Sequence, residues 1–358
     1  MKGYPFPIFK TAIPGNNQIF RLEDPVERRK YFTLKAGPEI ERIRGFLEHN
    51  TFVGFLLGKK NAGKGTYSKL FIEAVGPERV AHISVGDIVR SVHRDLSDAA
   101  KREELIAFLQ HRYRGFINIE KALDIITGRD TASLLPTEAI LPLVEREIGR
   151  LGRKAVFIDG FPRGMDQISY SLYFRALIGY RDDPDFFVFI DVPEAIIDER
   201  MKYRVVCPHC HAPRNTKLLR TKEVGFDPQT EAFYLICDDP TCPNRQRMVA
   251  KEGDALGIEA IRDRIEVDDR IIRKLLDLEG VPKIFLRNAI PVENAKEYID
   301  DYEITPAFRY QKKPDADAVD VIEEPWVVND DDGVPSYSLM PAPVAVSLIK
   351  QTARVLGL

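Results

Sequence analysis

The chain has 358 residues, 44% hydrophobic and 30% charged, the balance of a folded protein with about two domains or one core domain carrying insertions. A net charge of −3 provides no broad basic field for nucleic acid or for an anionic membrane. No apolar run approaches the ~20 residues that cross a bilayer, and no apolar segment follows Met1, so a cytoplasmic location is expected, away from membranes and secretion.

In chain order, residues 1–50 read as an N-terminal extension. Residues 1–17 are rich in Pro, Gly and aromatics and read as loop. A charged helix is predicted over 23–32. Pro38 opens a second over 39–48, with Ile40, Ile43 and Phe46 on one face. Residues 51–57 form a continuous apolar run, as expected of a strand buried on both faces. The run enters a glycine-rich loop, Gly58 to Thr66, and a helix over 67–75 follows. Further apolar runs at 80–84, 155–158, 186–190 and 283–286 alternate with helical stretches such as 138–151 and 193–202. Strands alternating with helices predict an α/β fold with a doubly wound parallel sheet.

Two segments interrupt that rhythm. Residues 90–136 read as mostly helical, and 205–251 as strands and turns that hold every cysteine of the chain. Residues 310–343, rich in Asp, Glu and Pro and including Asp330-Asp331-Asp332-Gly333, read as a surface strap or a loose linker. A closing helix over 343–356 carries an apolar stripe of Val344, Leu348 and Val355. The stripe is expected to dock on the chain's own core or on a partner subunit.

Three strings carry chemistry. Four residues separate Gly58 from Gly63-Lys64, the spacing of a phosphate loop. Glycines let main-chain N–H groups turn toward phosphate oxygens, the next helix points its positive end at them, and Lys64 reaches the β- and γ-phosphates. The second string, Phe157 to Arg163, follows an apolar strand. Asp159 therefore falls at a carboxyl end of the sheet, where it can hold the hydration shell of Mg²⁺, and Arg163 can bridge phosphates. The third, His82 to Arg90, is another strand end leading into a helix, with Arg90 as a second phosphate binder.

The cysteines are Cys207, Cys210, Cys237 and Cys242, two chelating turns in one short segment. Four thiolates at this spacing predict one tetrahedral structural Zn²⁺, with free core thiols or two local disulfides as alternatives. His209 and His211 are spare imidazoles, read as exposed turn residues.

As an ordered set these strings resemble the nucleoside monophosphate kinases of the adenylate kinase family, in the form with a zinc-containing lid. The match covers about 51–299. It includes Ser84 to Arg90, Asp159 to Arg163 followed by Gln167, Glu199 to Arg204 entering the lid, and Ala260 to Ile265 leaving it. The resemblance implies a P-loop kinase core at 51–204 and 251–302 with a helical monophosphate-binding insertion at 88–136. It also implies a zinc-binding lid at 205–250 and leaves a C-terminal extension at 303–358.

The resemblance further implies reversible transfer of the γ-phosphoryl group of ATP to a nucleoside monophosphate, AMP above all. Gly58, Asn61, Ala62, Gly63, Lys64, Gly65 and Thr66 would hold ATP, with Arg200 against its base. Ser84, Val85, Arg90, Gly160, Arg163 and Gln167 would hold the monophosphate, with Gln167 reading its base. Lys64, Arg90, Arg163, Arg204 and Arg264 would carry the transfer, and Asp87 and Asp159 would orient Mg²⁺ through water. Arginine suits this role because its planar fork binds two phosphate oxygens at once, and no general base is needed.

Val85 stands where adenylate kinases have Thr, which makes a UMP/CMP kinase the alternative. Lys251, Arg245 and Arg247 all stand as candidates for one further lid cation. From another class, the rival is a nucleotide-sensing module on a kinase scaffold. It is disfavoured because a sensor needs no Arg163 and Arg264 together. A monomer is expected, with the terminal extensions as the parts able to mediate self-association.

Overall fold

The computed structural model describes residues 3–4, 6–128, 137–162, 184–240, 242–313 and 319–358. Arg163 and Gln167 lie outside the described residues, as does Thr241.

Each apolar run becomes a strand, and helices or the lid separate the strands wherever the intervening residues are described. After α1 (Pro25–Phe46) come β1 (Val53–Gly58), α2 (Lys64–Val75), β2 (Val80–Ser84) and α3 (Val85–Leu96). The helical insertion continues with α4 (Ala99–Arg112), α5 (Ile119–Thr127) and α6 (Thr137–Arg150), ahead of β3 (Ala155–Asp159) and β4 (Asp185–Asp191). Then α7 (Glu194–Lys202) leads into the lid, formed by β5 (Arg204–Val206), β6 (Pro213–Asn215), β7 (Val224–Asp227), β8 (Ala232–Leu235) and β9 (Val249–Ala250). The chain returns through α8 (Arg262–Leu276) to β10 (Lys283–Arg287).

The central sheet runs β10-β4-β1-β3-β2 and is parallel throughout. Its register sets Ser84 opposite Asp159, Gly58 opposite Ile190 and Arg287 opposite Asp191, so these carboxyl ends form one edge. Alternation along the strands divides the core. Phe52, Leu56, Phe157, Phe186 and Val188 join one apolar cluster, and Val53, Phe55, Leu57, Ile158 and Phe187 the other. Helices α3–α6 and much of α8 cover the second face.

The terminal segments cover the first. The two helices predicted near the N-terminus run on as α1 through a kink at Ala36, just ahead of Pro38, and Asp24 caps the start by accepting from Val26 N at 2.8 Å. The closing helix α10 (Pro341–Val355) follows β11 (Ala289–Pro291), α9 (Val292–Tyr298), β12 (Pro306–Lys312), β13 (Val319–Pro325), β14 (Val327–Asn329) and β15 (Pro335–Ser338). Its stripe docks on the chain's own core, with Val344, Leu348 and Ile349 buried against the sheet cluster.

Glu303 locks the two termini together. Its carboxylate is fully buried and accepts from Tyr31 Oη at 2.5 Å, Thr11 Oγ1 at 2.6 Å and Asp300 N at 2.9 Å. Buried polar groups need such partners, because an unmet one costs about 1–3 kcal/mol.

The reading of 310–343 as a strap or loose linker needs correction. Strands β12 and β13 pair as an antiparallel hairpin, and β14 and β15 join β11 in a second small sheet. The hairpin reaches the lid, where Phe308 N donates to Lys217 O at 2.7 Å and Tyr310 Oη to Thr216 O at 2.5 Å.

Candidate active site

The phosphate loop turns on two left-handed residues, Asn61 at φ 66° and Gly63 at φ 87°. A Cβ on Gly63 would also meet the Tyr67 ring at 3.0 Å, so glycine is required there on two counts. Gly63 is the N-cap of α2 and supplies no capping side chain, which leaves the positive end of the helix for an anion. Lys64 begins α2, and its ammonium donates to Gly58 O at 2.8 Å and Lys59 O at 3.1 Å.

Across the loop, Asp159 ends β3 with Oδ1 3.9 Å from Lys64 Nζ. That oxygen is buried and has no hydrogen bond among the described residues. An acceptor in this state fits the hydration water of a cation. Gly58, Lys64, Gly160, Phe161, Arg264 and Asp268 line a cleft of about 30 Å³. Arg264 Nε is likewise buried without a hydrogen bond among the described residues. Burial pushes the Lys60 ammonium below its ordinary pKa, and Arg264, Lys251 and Arg204 push the same way. Four cations therefore gather at the loop, the arrangement that a polyphosphate neutralises.

This cluster also bears on the lid cation. Arg245 pairs with Glu223 at 2.7 Å, and Arg247 pairs with Asp227 at 2.8 Å and lies 4.2 Å over the Tyr234 ring. Of the three candidates, Lys251 is the one whose charge is felt at Lys60. Arg204 forms a bidentate pair with Asp254, at 2.5 and 2.7 Å. Arg200 donates to Asn288 Oδ1 at 2.9 Å.

On the acceptor side, Ser84 ends β2 and Val85 is buried in the second apolar cluster. Arg90 and Asp87 are exposed and paired with each other on the first turns of α3. The cleft thus unites Lys64, Gly160 and Arg264 with Asp159 at its rim, whereas Arg90 and Arg204 are held by neighbouring carboxylates.

Sequence reasoning missed several residues. His82 Nδ1 lies 2.9 Å from Ser68 Oγ, whose hydroxyl also reaches the Lys64 and Gly65 carbonyls at 3.2 Å. Asp268 accepts from Lys60 N at 3.1 Å. Asp254 stands in the string Lys251 to Asp254, the one local hint of its pairing with Arg204.

In the lid, all four cysteines are free thiols, and their sulfurs lie within 4.8 Å of one another. Cys207 Sγ is 3.8 Å from Cys242 Sγ, and Cys210 Sγ is 3.6 Å from Cys237 Sγ. A tetrahedron with Zn–S of about 2.3 Å has S···S edges of about 3.8 Å, so the donor set fits zinc in type, number and size. Against burial, main-chain N–H groups of Cys210 and His209 pull the Cys207 thiol down, while burial and the neighbouring sulfurs push the Cys237 thiol up, so Cys207 ionises ahead of Cys237. His209 and His211 are exposed and stand outside the cluster.

An anion-binding loop, an unmet carboxylate oxygen and a converging arginine at the open edge of a doubly wound sheet define a phosphate-loop kinase. The relatives narrow the class. An adenylate kinase of Clostridium novyi is 30% identical over 224 residues, 62% of this chain and 83% of that protein. One from Clostridium acetobutylicum is 30% identical over 216 residues, covering 60% and 80% respectively, and one from Thermotoga neapolitana is 28% identical over 232 residues, covering 64% and 86%. No family model matches the chain. The chain belongs to the adenylate kinase family and is a nucleoside monophosphate kinase. No helix among the described residues is long and apolar enough to cross a membrane.

Proposed function

We propose that this enzyme transfers the γ-phosphoryl group of ATP reversibly to AMP, giving two ADP. The observation that carries the reading is the convergence of Lys64 and Arg264 beside the unmet Asp159 oxygen at the mouth of the phosphate loop. The activity named for the relatives supports AMP as acceptor.

Gly58, Asn61, Ala62, Gly63, Gly65 and Thr66 wrap the donor phosphates, and Lys64 moves from its resting carbonyls onto them. Arg264 and Arg163 neutralise charge developing on the transferred group. Arg204 joins them when it leaves Asp254, and Lys251 is the further lid cation. Arg90, Ser84, Gly160 and Gln167 hold the acceptor, and Arg200 packs on the donor base. Mg²⁺ would be held through water by Asp159 and Asp87, and it supplies charge neutralisation between donor phosphates when bound. The four cysteines hold a structural Zn²⁺. The division proposed is a core at 51–204 and 251–302, an insertion at 88–136, a lid at 205–250 and extensions at 1–50 and 303–358.

Val85 favours a second reading, UMP or CMP as acceptor, because an apolar side chain can only pack where Thr could hydrogen-bond. ATP supplied with each monophosphate in turn, with diphosphates read by chromatography, decides between the two. AMP turnover well above CMP and UMP is expected, and the reverse order overturns the acceptor assignment. Lys64→Ala should lower kcat by roughly 10²–10³, about 2.7–4 kcal/mol, with the fold intact by circular dichroism. Near wild-type turnover would remove Lys64 from the mechanism.

A further inference from the structure

We propose that Asp331, in the C-terminal segment, is a positioning residue for the donor site. Its carboxylate joins Lys59 of the phosphate loop to the N-terminus of α7 and holds the loop ready for the triphosphate. The inference rests on reading the Gly58 to Thr66 loop as the ATP site.

Lys59 is an unusual passenger in such a loop. Its side chain is only 5% exposed, and a buried ammonium requires charged partners. Among the described residues it has two, Glu194 Oε1 at 2.9 Å and Asp331 Oδ2 at 3.2 Å. The carbonyl of the same residue accepts from Lys64 Nζ at 3.1 Å. Whatever fixes Lys59 therefore fixes the peptide on which Lys64 rests.

The other oxygen of Asp331 performs a second task. Helix α7 starts after Pro193, which offers no capping side chain. Asp331 Oδ1 supplies the missing cap, accepting from Glu194 N at 2.7 Å across 137 residues of chain. Helix α7 carries Arg200. Glu194 also pairs with Arg262 at 2.7 Å, at the start of the helix that carries Arg264. Asp331 thus ties the phosphate loop to α7 directly, and to the helix that carries Arg264 through Glu194.

Asp331 is itself rigidly held. Its neighbour Asp330 pairs with Arg287 at 2.6 Å and accepts from Asp332 N at 3.0 Å and Val334 N at 2.8 Å. Burial pushes the Asp331 carboxyl up, but Lys59 and the Glu194 N–H outweigh it and hold the group below its ordinary range. It is therefore ionised at neutral pH and opposes the Lys59 charge there.

The test uses the full-length protein. Asp331→Asn keeps the shape and an acceptor for Glu194 N but removes the charge from Lys59. The dissociation constant for Mg-ATP without acceptor, and the KM for ATP, should rise about fivefold to tenfold. The KM for the acceptor and the melting temperature should stay near wild type. Asp332→Asn, whose carboxylate among the described residues accepts from the exposed Gly3 N, should match wild type in all of these. If Asp331→Asn fails to fold, Lys59→Met breaks the same contact from the other side, with the same expected split. Equal ATP affinity in variant and wild type overturns the proposal and leaves the donor site standing. So does a parallel loss in kcat, both KM values and melting temperature, the signature of a merely structural role. Wild-type protein that binds no Mg-ATP overturns the donor site and the proposal together.

Discussion

The sheet core and the lid bury their chains by different means. Around the sheet, two apolar clusters pack both faces, and aromatic side chains such as Phe52, Phe71, Phe157 and Phe186 meet edge to face or tilted within about 5–6.4 Å. The lid has one small cluster, Cys207, Leu235, Cys237, Cys242 and Met248, in which three of the five buried residues are thiols. At ~25 cal/mol per Å², the sheet gains most of its stability from area removed from water, and the lid has little such area to gain from. The supports open to the lid are therefore its four clustered thiols, sized for one metal ion, and the hairpin that leans on it.

The strongest way to break the comparison is to remove the metal. Purified protein should carry about one zinc per chain by elemental analysis. A chelator, or Cys237→Ser, should abolish hydrogen-exchange protection across 205–250 while the sheet stays protected, and the KM for ATP should rise. Structural zinc contributes on the order of 10 kcal/mol in zinc-finger peptides, more than so small a cluster supplies. A metal-free lid that stays protected would mean that the thiols pack as ordinary apolar groups. In the core the complementary change is Leu348→Ala, at a fully buried position of α10. A cavity there should cost ~2–5 kcal/mol and lower the global melting temperature, with the zinc content unchanged. A loss confined to the last helix would show that α10 is an appendage.

The same contrast explains what could be read from sequence. The phosphate loop was legible because its spacing is local, and the parallel strands because strands covered on both faces appear as unbroken apolar runs. The cysteine cluster was legible from its two chelating turns. The C-terminal hairpin was not. In β13, Val319 and Val321 alternate with Asp320 and with Glu323 and Glu324 nearby, and that acidic content mimics a linker. The partners of single charges were also hidden, because they are set by tertiary packing. Lys59 and Asp331 lie 272 residues apart in the chain, and Tyr31 and Glu303 also 272. Arg204 was found as a lid-entry arginine, but its pairing with Asp254 depends on how the two ends of the lid meet.

A gentler probe asks how far the hairpin supports the lid. Tyr310 Oη donates to Thr216 O at 2.5 Å, and the ring packs 5.7 Å from Phe233. Tyr310→Phe keeps the ring and removes the bond, which should cost ~0.5–1.5 kcal/mol. The loss should appear as faster hydrogen exchange near Thr216 and Lys217, with the sheet unaffected. Unchanged exchange there would show that the Phe308 N–Lys217 O bond and the ring contact hold the hairpin on the lid without this hydroxyl.

The smallest expected effect lies on the core side and turns on His82. Burial holds its imidazole below the ordinary value of 6.5, and Lys69 adds to that, while Asp159 and Asp87 pull the other way. Ser68 faces it at 2.9 Å. A histidine whose folded pKa is depressed takes up a proton more readily when the chain is unfolded. Its contribution is therefore neutral above the unfolded value, and stability falls as the pH drops below about 6.5 toward the folded pKa. A melting temperature measured through this window should show that slope, and His82→Gln should flatten it. Removing the opposing carboxylate with Asp159→Asn should depress the imidazole further and steepen the fall. Because the group sits under the phosphate loop and not in the lid, the slope should survive removal of zinc. An unchanged profile in His82→Gln would assign the acid sensitivity to another group.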